Sequence, residues 1–126
     1  MIDGRVLIIT ASGPWNPELI ESYREEAAPQ IAQLAGAPWG TLLVLYGQAV
    51  LAPDTRASLA RSIRETRTVG RTVTAIHMEK DVVAPEVVRD SFADLYEETG
   101  VPHRFFDDLE EARAWVDAEI ERATRG

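Results

Sequence analysis

The chain has 126 residues, of which 45% are hydrophobic and 27% are charged, and its formal net charge is −8. This size and composition predict one globular domain over residues 1–126. An acidic surface excludes the usual modes of binding to nucleic acid and to anionic lipid, because both need a basic face. The absence of cysteine excludes disulfides and thiolate metal sites.

No segment of the sequence predicts secretion or insertion into a membrane. The first residues, 1–5, lack the basic stretch and the apolar core of a signal peptide. The longest purely aliphatic runs, such as residues 42–45, are far too short to cross a bilayer. We therefore expect a cytoplasmic protein without membrane insertion.

The first part of the chain predicts a strand and a long helix. Residues 6–10 form a short apolar run that is followed by turn residues. Asn16 is placed to cap a helix with Pro17 at its first position, and Gly36 is placed to end it. Pro29 is expected to kink or weaken this helix, because it removes an internal hydrogen bond. The predicted inward residues are Leu19, Tyr23, Ala27, Ile31 and Leu34.

The middle of the chain continues the alternation of strands and helices. Residues 39–46 are apolar at successive positions, which is typical of a central parallel strand covered on both faces. A helix over residues 54–69 leads to a third strand, Arg71–Met78. A third helix is predicted at 84–98, before a fourth strand, His103–Phe106. Strands separated by helices predict a parallel sheet with right-handed crossovers.

The last quarter of the chain predicts an amphipathic helix that follows the fourth strand directly. Asp107 is placed to accept hydrogen bonds from the first turn while Glu110 reaches back, the arrangement of a capping box. The apolar face of this helix is Leu109, Ala112, Val116, Ile120 and Ala123. The whole pattern predicts an α/β single-domain sandwich, in which a mainly parallel four-stranded sheet carries four helices on its two faces.

Three segments of the chain resemble the SpoIIAA-like group of STAS domains, relatives of the anti-sigma-factor antagonists. They are the strand and turn at residues 7–13 with the helix that follows, the central strand at 38–44, and the closing segment at 106–115. The resemblance covers the whole chain and implies a regulatory role. Such domains begin with two strands before the first helix, whereas only one is clear here. The first edge strand is therefore expected to be absent or reduced to residues 1–5.

The phosphorylation motif of the sigma-factor antagonists is absent from this chain. In that family, a phosphorylatable serine lies in an Asp-Ser-Ser-Gly-like sequence after the central strand, and the corresponding residues 46–58 do not contain it. Thr55 and Ser58 are the remaining candidate phosphorylation sites near the start of the second helix. Thr55 follows Asp54, however, and is adequately explained by capping chemistry in the first turn.

Candidate ligand-binding residues are expected where ligands of open α/β sheets bind, beyond the carboxyl ends of the strands. The residues predicted there are Ser12, Trp15, Tyr46, Gln48, His77 and Met78. They suit a ligand with an apolar body and one polar end. Trp15 either lines the mouth of a pocket or packs on Leu19 or Ile20 at the start of the first helix.

No motif for a catalytic centre, a nucleotide or a metal ion is present. The Gly-x-Ser-x-Gly elbow is missing, and the glycines lack the spacing of a dinucleotide-binding or phosphate-binding loop. We therefore predict a non-enzymatic STAS-like signalling or regulatory module, without cofactor or metal, that recognises a protein partner or an apolar small molecule. The alternative is a small enzyme that uses His77 and polar strand-end residues. Assembly into a homo-oligomer stays open.

Overall fold

Strands and helices alternate along the chain, and the computed structural model describes all residues, Met1–Gly126. There are five strands and four helices. In chain order they are β1 (Ile2–Asp3), β2 (Val6–Ala11), α1 (Pro17–Leu34), β3 (Trp39–Leu45), α2 (Pro53–Arg67), β4 (Arg71–Met78), α3 (Pro85–Thr99), β5 (His103–Phe106) and α4 (Leu109–Arg125). No helix combines the length and the apolar character needed to cross a membrane.

The five strands form one sheet in the order β1-β2-β3-β4-β5. β2 to β5 are parallel, as predicted, and β1 runs antiparallel to β2. The sheet therefore has one strand more than the four predicted, and this short edge strand lies within residues 1–5, where the resemblance had left a reduced strand open. Two residues are too few to show the alternation that identifies a strand in a sequence. Gly4 makes the turn between β1 and β2 at φ +62°, a conformation that glycine adopts without strain.

The sequential strand order places three helices on one face of the sheet. Each right-handed crossover from β2 to β5 moves one strand further in the same direction, so α1, α2 and α3 lie on the same side. α4 follows the last strand and packs on the opposite side, against β3, β4 and β5. Helices therefore cover both faces, as predicted. Because the order of the parallel strands never reverses, the sheet lacks the crevice that a reversal opens at the carboxyl ends of strands.

Two apolar layers hold α2, α3 and α4 on the sheet, and a third, small cluster of Leu7, Leu34 and Trp39 holds the end of α1. The larger layer packs α2 and α3 on one face and includes Leu43, Ile76 and Phe92. The smaller layer packs α4 on the opposite face and includes Val44 and Val116. All seven residues of β3 are buried, so the prediction of a central strand covered on both faces is confirmed.

The ends of the first three helices agree with the sequence predictions to within about two residues. Asn16 Oδ1 accepts a hydrogen bond of 2.8 Å from the Leu19 amide, and Pro17 occupies the first turn, so both start signals of α1 are confirmed. The helix continues through Pro29 without a break. Gly100 ends α3 in the left-handed conformation at φ +76°, as predicted.

The N-cap of α4 is Asp108 rather than Asp107, which corrects the sequence prediction. The Asp108 side chain accepts a hydrogen bond of 3.0 Å from the amide of Glu110, and the helix begins at Leu109. β5 ends at Phe106, and the additional residue lets the chain turn before the helix starts. Because two consecutive aspartates offer the same capping chemistry, the sequence could not distinguish between them.

Candidate ligand-binding site

A large cavity of about 410 Å³ lies between α1 and the face of the sheet that also carries α2 and α3. Its wall comprises 26 residues, of which 18 are hydrophobic. This volume, together with an apolar wall that contains few polar groups, is typical of pockets for small molecules. The cavity is therefore the strongest candidate for a ligand-binding site in the fold.

α1 forms the roof of the cavity and stands away from the sheet over most of its length. Of its 18 residues only Ile20 and Leu34 are buried, and they lie near its two ends. Tyr23 and Ala27, between them, line the cavity, and Tyr23 is 43% exposed. Of the predicted inward residues Leu34 is buried, Leu19, Ala27 and Ile31 are half-buried, and Tyr23 is exposed. Ile20 rather than Leu19 is the buried residue near the start of the helix. The apolar side of α1 is thus left free to contact a ligand.

The floor of the cavity is the face of β2 and β3, where side chains alternate between the two sides of the sheet. Ile9, Leu43 and Leu45 contribute aliphatic surface. Thr41 is the polar exception, because it is 1% exposed and its hydroxyl oxygen has no hydrogen-bond partner. A buried polar group without a partner costs about 1–3 kcal/mol, and in native proteins it calls for an explanation such as a bound water or ion.

Trp15 lines the end of the cavity that lies beyond the carboxyl end of β2. Its ring packs edge-to-face on Phe92 of α3, with the ring centroids 6.4 Å apart. Its carbonyl oxygen accepts a hydrogen bond of 3.2 Å from the hydroxyl of Thr55, while its indole Nε1 is buried without a partner. Trp15 therefore contributes to a pocket, which is one of the two positions that its sequence context allows.

Arg71 lies at the opposite end of the cavity, where β4 begins. Its Nη2 donates to the hydroxyl of Thr74 at 3.0 Å and to the hydroxyl of Tyr96 at 3.2 Å. Its Nη1 lies 3.4 Å from the hydroxyl oxygen of Thr66, and its Nε is buried without a partner. The guanidinium carbon lies 5.7 Å from the centroid of the Tyr96 ring. A half-buried positive charge thus borders an apolar cavity, and all its hydrogen-bond partners are neutral.

The six residues predicted at the carboxyl edge do not share one cavity. Trp15 lines the large cavity, and Met78 lines a second cavity of about 300 Å³, beside Glu79 and Arg89. The residues that line neither of these two cavities are Ser12, Tyr46, Gln48 and His77. Consecutive strand residues point to opposite faces of a sheet, so the sheet itself separates the side chains of His77 and Met78.

The loops that carry Ser12 and Gln48 contact each other at the carboxyl edge. The amide of Gly13 donates to the carbonyl oxygen of Gln48. Gly47 approaches Ser12 so closely that a Cβ atom on Gly47 would lie 2.8 Å from the Ser12 hydroxyl oxygen. The amide of Gly47 also donates to Asp81 Oδ1 at 3.3 Å. The loops that follow β2, β3 and β4 are thus tied to one another at this edge.

His77 is buried, and its ring connects β4 to the end of β5. Its Nδ1 lies 3.0 Å from the carbonyl oxygen of Phe106, which can only accept, so Nδ1 carries the proton of that hydrogen bond. Its Nε2 lies 3.8 Å from Glu79 Oε1, which is longer than a hydrogen bond. One ring nitrogen is therefore engaged in a contact that joins two strands.

The two candidate phosphorylation sites lie near the start of α2. Thr55 is 1% exposed, and its hydroxyl donates to the carbonyl oxygen of Trp15, so a kinase could reach it only after local opening. The amide of Thr55 donates to Asp54 Oδ1 at 2.8 Å, which is first-turn chemistry of the kind predicted. Ser58 is half-buried on the same helix.

The sequence pattern did not point to Thr41, Arg71 or Tyr96 as members of a site. Thr41 could have been found as the single hydroxyl within the apolar run of β3. Arg71 could have been found as an arginine at the first position of a largely buried strand. The cavity itself has no sequence signature, because it depends on the distance between α1 and the sheet.

Comparisons with protein-family models and with curated proteins find no match to this chain. The fold and the site define an α/β domain with one mostly parallel sheet, four helices and an apolar cavity beneath the first of these helices.

Proposed function

We propose that this protein is a non-enzymatic regulatory module that binds an apolar small molecule between α1 and the sheet. The cavity of about 410 Å³, with a wall that is mostly apolar, carries the proposal. Burial of apolar surface contributes about 25 cal/mol per Å², so a ligand that fills this space gains much of its affinity from the wall alone. The polar groups at the two ends then select among apolar ligands.

The position of α1 supports a regulatory role for ligand binding. A ligand in the cavity contacts Tyr23, Ala27 and Ile31 on the inner side of α1 and Ile9 on the floor. Occupancy is therefore coupled to the position of the helix, because ligand binding favours the arrangement with the larger contact area. The outer side of α1 is exposed and is available to a protein partner that senses this position.

Membership of the SpoIIAA-like STAS group and a cytoplasmic location belong to the same proposal. The β1–β2 pair ahead of α1 supports the resemblance, because two strands before the first helix are what it implies. Since the Asp-Ser-Ser-Gly-like motif is missing and Thr55 is buried, the proposal assigns regulation to a ligand rather than to phosphorylation.

The alternative of a small enzyme based on His77 has less support. The ring is buried, Nδ1 is bonded to the carbonyl oxygen of Phe106, and the residue does not line the large cavity. A general base must lie within hydrogen-bond reach of the substrate proton, and His77 lies outside the cavity in which a substrate would fit.

Two substitutions at neighbouring positions of α1 test the proposal. Ala27 lines the cavity, whereas Ala28 is exposed on the outer side of the helix. Ala27→Phe should occupy the cavity and weaken binding of decan-1-ol, a neutral apolar probe, by roughly tenfold or more. Ala28→Phe should leave the affinity within about twofold of the wild type. Both changes replace alanine by phenylalanine in one helix, so their effects on helix propensity are matched.

Isothermal titration calorimetry on the full chain measures these affinities, and circular dichroism checks that each variant is folded. Native mass spectrometry of protein purified without denaturation gives a second readout, because a retained ligand adds mass to the wild type and not to Ala27→Phe. Absence of decan-1-ol binding to the wild type, or equal affinity in the wild type and both variants, would contradict the proposal.

A further inference from the structure

We propose that the ligand is a carboxylic acid with an apolar body, a fatty acid in chemical class, whose carboxylate binds Arg71. The inference rests on the proposed function and specifies the ligand of the same cavity. It combines three observations: an arginine without an acidic partner, unpartnered polar atoms at one end of the cavity, and an apolar wall that leads away from them.

The charge of Arg71 is the first observation. Its side chain donates only to the hydroxyls of Thr66, Thr74 and Tyr96, none of which carries a compensating charge. Arg24, which also lines the cavity, forms ion pairs with glutamates. The chain has 21 acidic and 13 basic residues, yet none of the acidic residues pairs with Arg71. Because Arg71 borders an apolar cavity without a carboxylate partner, it is a site for an external anion.

The unpartnered polar atoms are the second observation. Arg71 Nε and Thr41 Oγ1 are buried without a partner, and both residues line the cavity. They belong to the same end, because Thr41 is the cross-strand neighbour of Thr74, whose hydroxyl accepts from Arg71 at 3.0 Å. A carboxylate has two acceptor oxygens and no donor, so it can accept from both the guanidinium and the hydroxyl after a small side-chain adjustment.

The number of free charges favours a carboxylate over a phosphate. Three charged side chains line the cavity, Arg71, Arg24 and Glu26, and Met1, whose α-ammonium donates to the carbonyl oxygen of Ile8, lines it as well. Arg24 is neutralised by Glu21 and Glu65, and Glu26 is itself negative. Among these side chains Arg71 alone carries an uncompensated positive charge, which matches a monoanion, whereas a phosphate monoester carries about −1.5 to −2 at neutral pH and exceeds the charge of one guanidinium.

The apolar body of the ligand follows the floor of the cavity towards Trp15. From Thr41 to Leu45 the strand rises by about 13 Å at roughly 3.3 Å per residue. Over that length the wall includes Leu43, Ile9 and Phe92. The cavity thus has a charged end at Arg71 and a mostly apolar run that leads to the neutral indole N–H of Trp15, which suits an amphiphile with one charged head group.

Calorimetric titration of the full chain with decanoate, decan-1-ol and decylamine tests the inference. The three probes share one alkyl chain and differ only in the head group. Decanoate should bind roughly ten- to a hundredfold more tightly than decan-1-ol, because a hydrogen bond to a charged group contributes more than a neutral one. Decylamine should bind more weakly than decan-1-ol, because its cation is repelled by Arg71.

Arg71→Gln should abolish the preference for decanoate over decan-1-ol. Arg61→Gln is the matched control, because Arg61 is exposed on α2 and does not line the cavity, and it should keep the wild-type preference. If Arg71→Gln fails to fold, Arg71→Lys keeps the charge and loses the planar fork, and it should retain a reduced preference for the acid.

Equal affinities of the wild type for decanoate and decan-1-ol would overturn the carboxylate inference and leave the proposed function intact. Tighter binding of decyl phosphate than of decanoate would also overturn it, in favour of a phosphate head group. An unchanged preference for decanoate in Arg71→Gln would overturn the role of Arg71. Absence of binding by all probes would instead contradict the proposed function.

Discussion

Asp3 and Arg113 form an ion pair across 110 positions of sequence, with Arg113 Nη1 2.7 Å from Asp3 Oδ2. Arg113 Nη2 also donates to the carbonyl oxygen of Asp3 at 3.1 Å, and Nε donates to the carboxylate of Asp117. Burial alone would lower the pKa of Arg113, but hydrogen bonds to Asp3 and Asp117 and their charges outweigh burial and raise it. The guanidinium therefore stays charged at any working pH. Its contacts with Asp3 connect the two-residue strand β1 to α4.

Arg113→Gln should loosen β1 with little effect on global stability. Exposed ion pairs contribute about 0–1 kcal/mol, and the side chain of Asp3 is 62% exposed. The amide of Ile8, which donates to the carbonyl oxygen of Met1 at 2.8 Å, should exchange its hydrogen faster. Hydrogen exchange followed by NMR measures this, with Arg122→Gln on the same helix as the control. Unchanged protection of Ile8 in Arg113→Gln would show that the pair does not hold β1.

Val44→Asp should prevent folding. Val44 is 7% exposed within the cluster under α4, and an unpaired charge there costs several kcal/mol against a total stability of roughly 5–15 kcal/mol. Thr10 pairs with Val44 in the sheet but is exposed, so Thr10→Asp should leave the protein folded. Circular dichroism during thermal unfolding compares the two variants. A soluble Val44→Asp protein that melts cooperatively would contradict the central position of β3.

Asp108→Ala should lower the free energy of unfolding by about 0.5–2 kcal/mol, because it removes the side chain that accepts from the Glu110 amide. Asp107→Ala should change it by no more than about 0.5 kcal/mol. Denaturant titration of both variants distinguishes the two candidate caps. The opposite ranking would place the start of α4 one residue earlier.

Gly40→Ala should destabilise the contact between β3 and α4. A Cβ atom on Gly40 would lie 2.6 Å from Val116 Cγ1, and crowding of this kind in a core costs about 1–3 kcal/mol. The double variant Gly40→Ala/Val116→Ala removes the methyl group that clashes, so its loss of stability should be smaller than the sum of the two single losses. Denaturant titration of the three variants measures the coupling, and strict additivity would argue against direct contact.

Most elements of the fold could be read from the sequence, because hydrophobic period and turn residues are local signals. Arg71–Met78 and His103–Phe106 have the predicted bounds, and the start of α1 follows from Asn16 and Pro17. The sequence left open whether an edge strand lies within residues 1–5, because the two residues of β1 pair with β2 over too short a distance to leave a pattern. Which of Asp107 and Asp108 caps α4 could be decided only from the geometry of the turn between β5 and α4.

The candidate site was far less predictable than the fold. Of the six residues predicted at the carboxyl edge, Trp15 alone lines the large cavity. The prediction assumed a crevice beyond the strand ends, but the sequential strand order does not create one. Arg71 and Thr41 lie towards the other end of their strands, and they share one end of the cavity because β3 and β4 are neighbours in register, with Thr41 beside Thr74.

By itself the sequence determined which segments become strands and helices and which side of each is apolar, since these properties depend on residues a few positions apart. Only the tertiary structure decided that α1 stands away from the sheet and encloses a cavity of about 410 Å³. The distance between a helix and a sheet depends on the summed packing of side chains from several elements at once. The same packing brought the unneutralised charge of Arg71 to one end of that cavity.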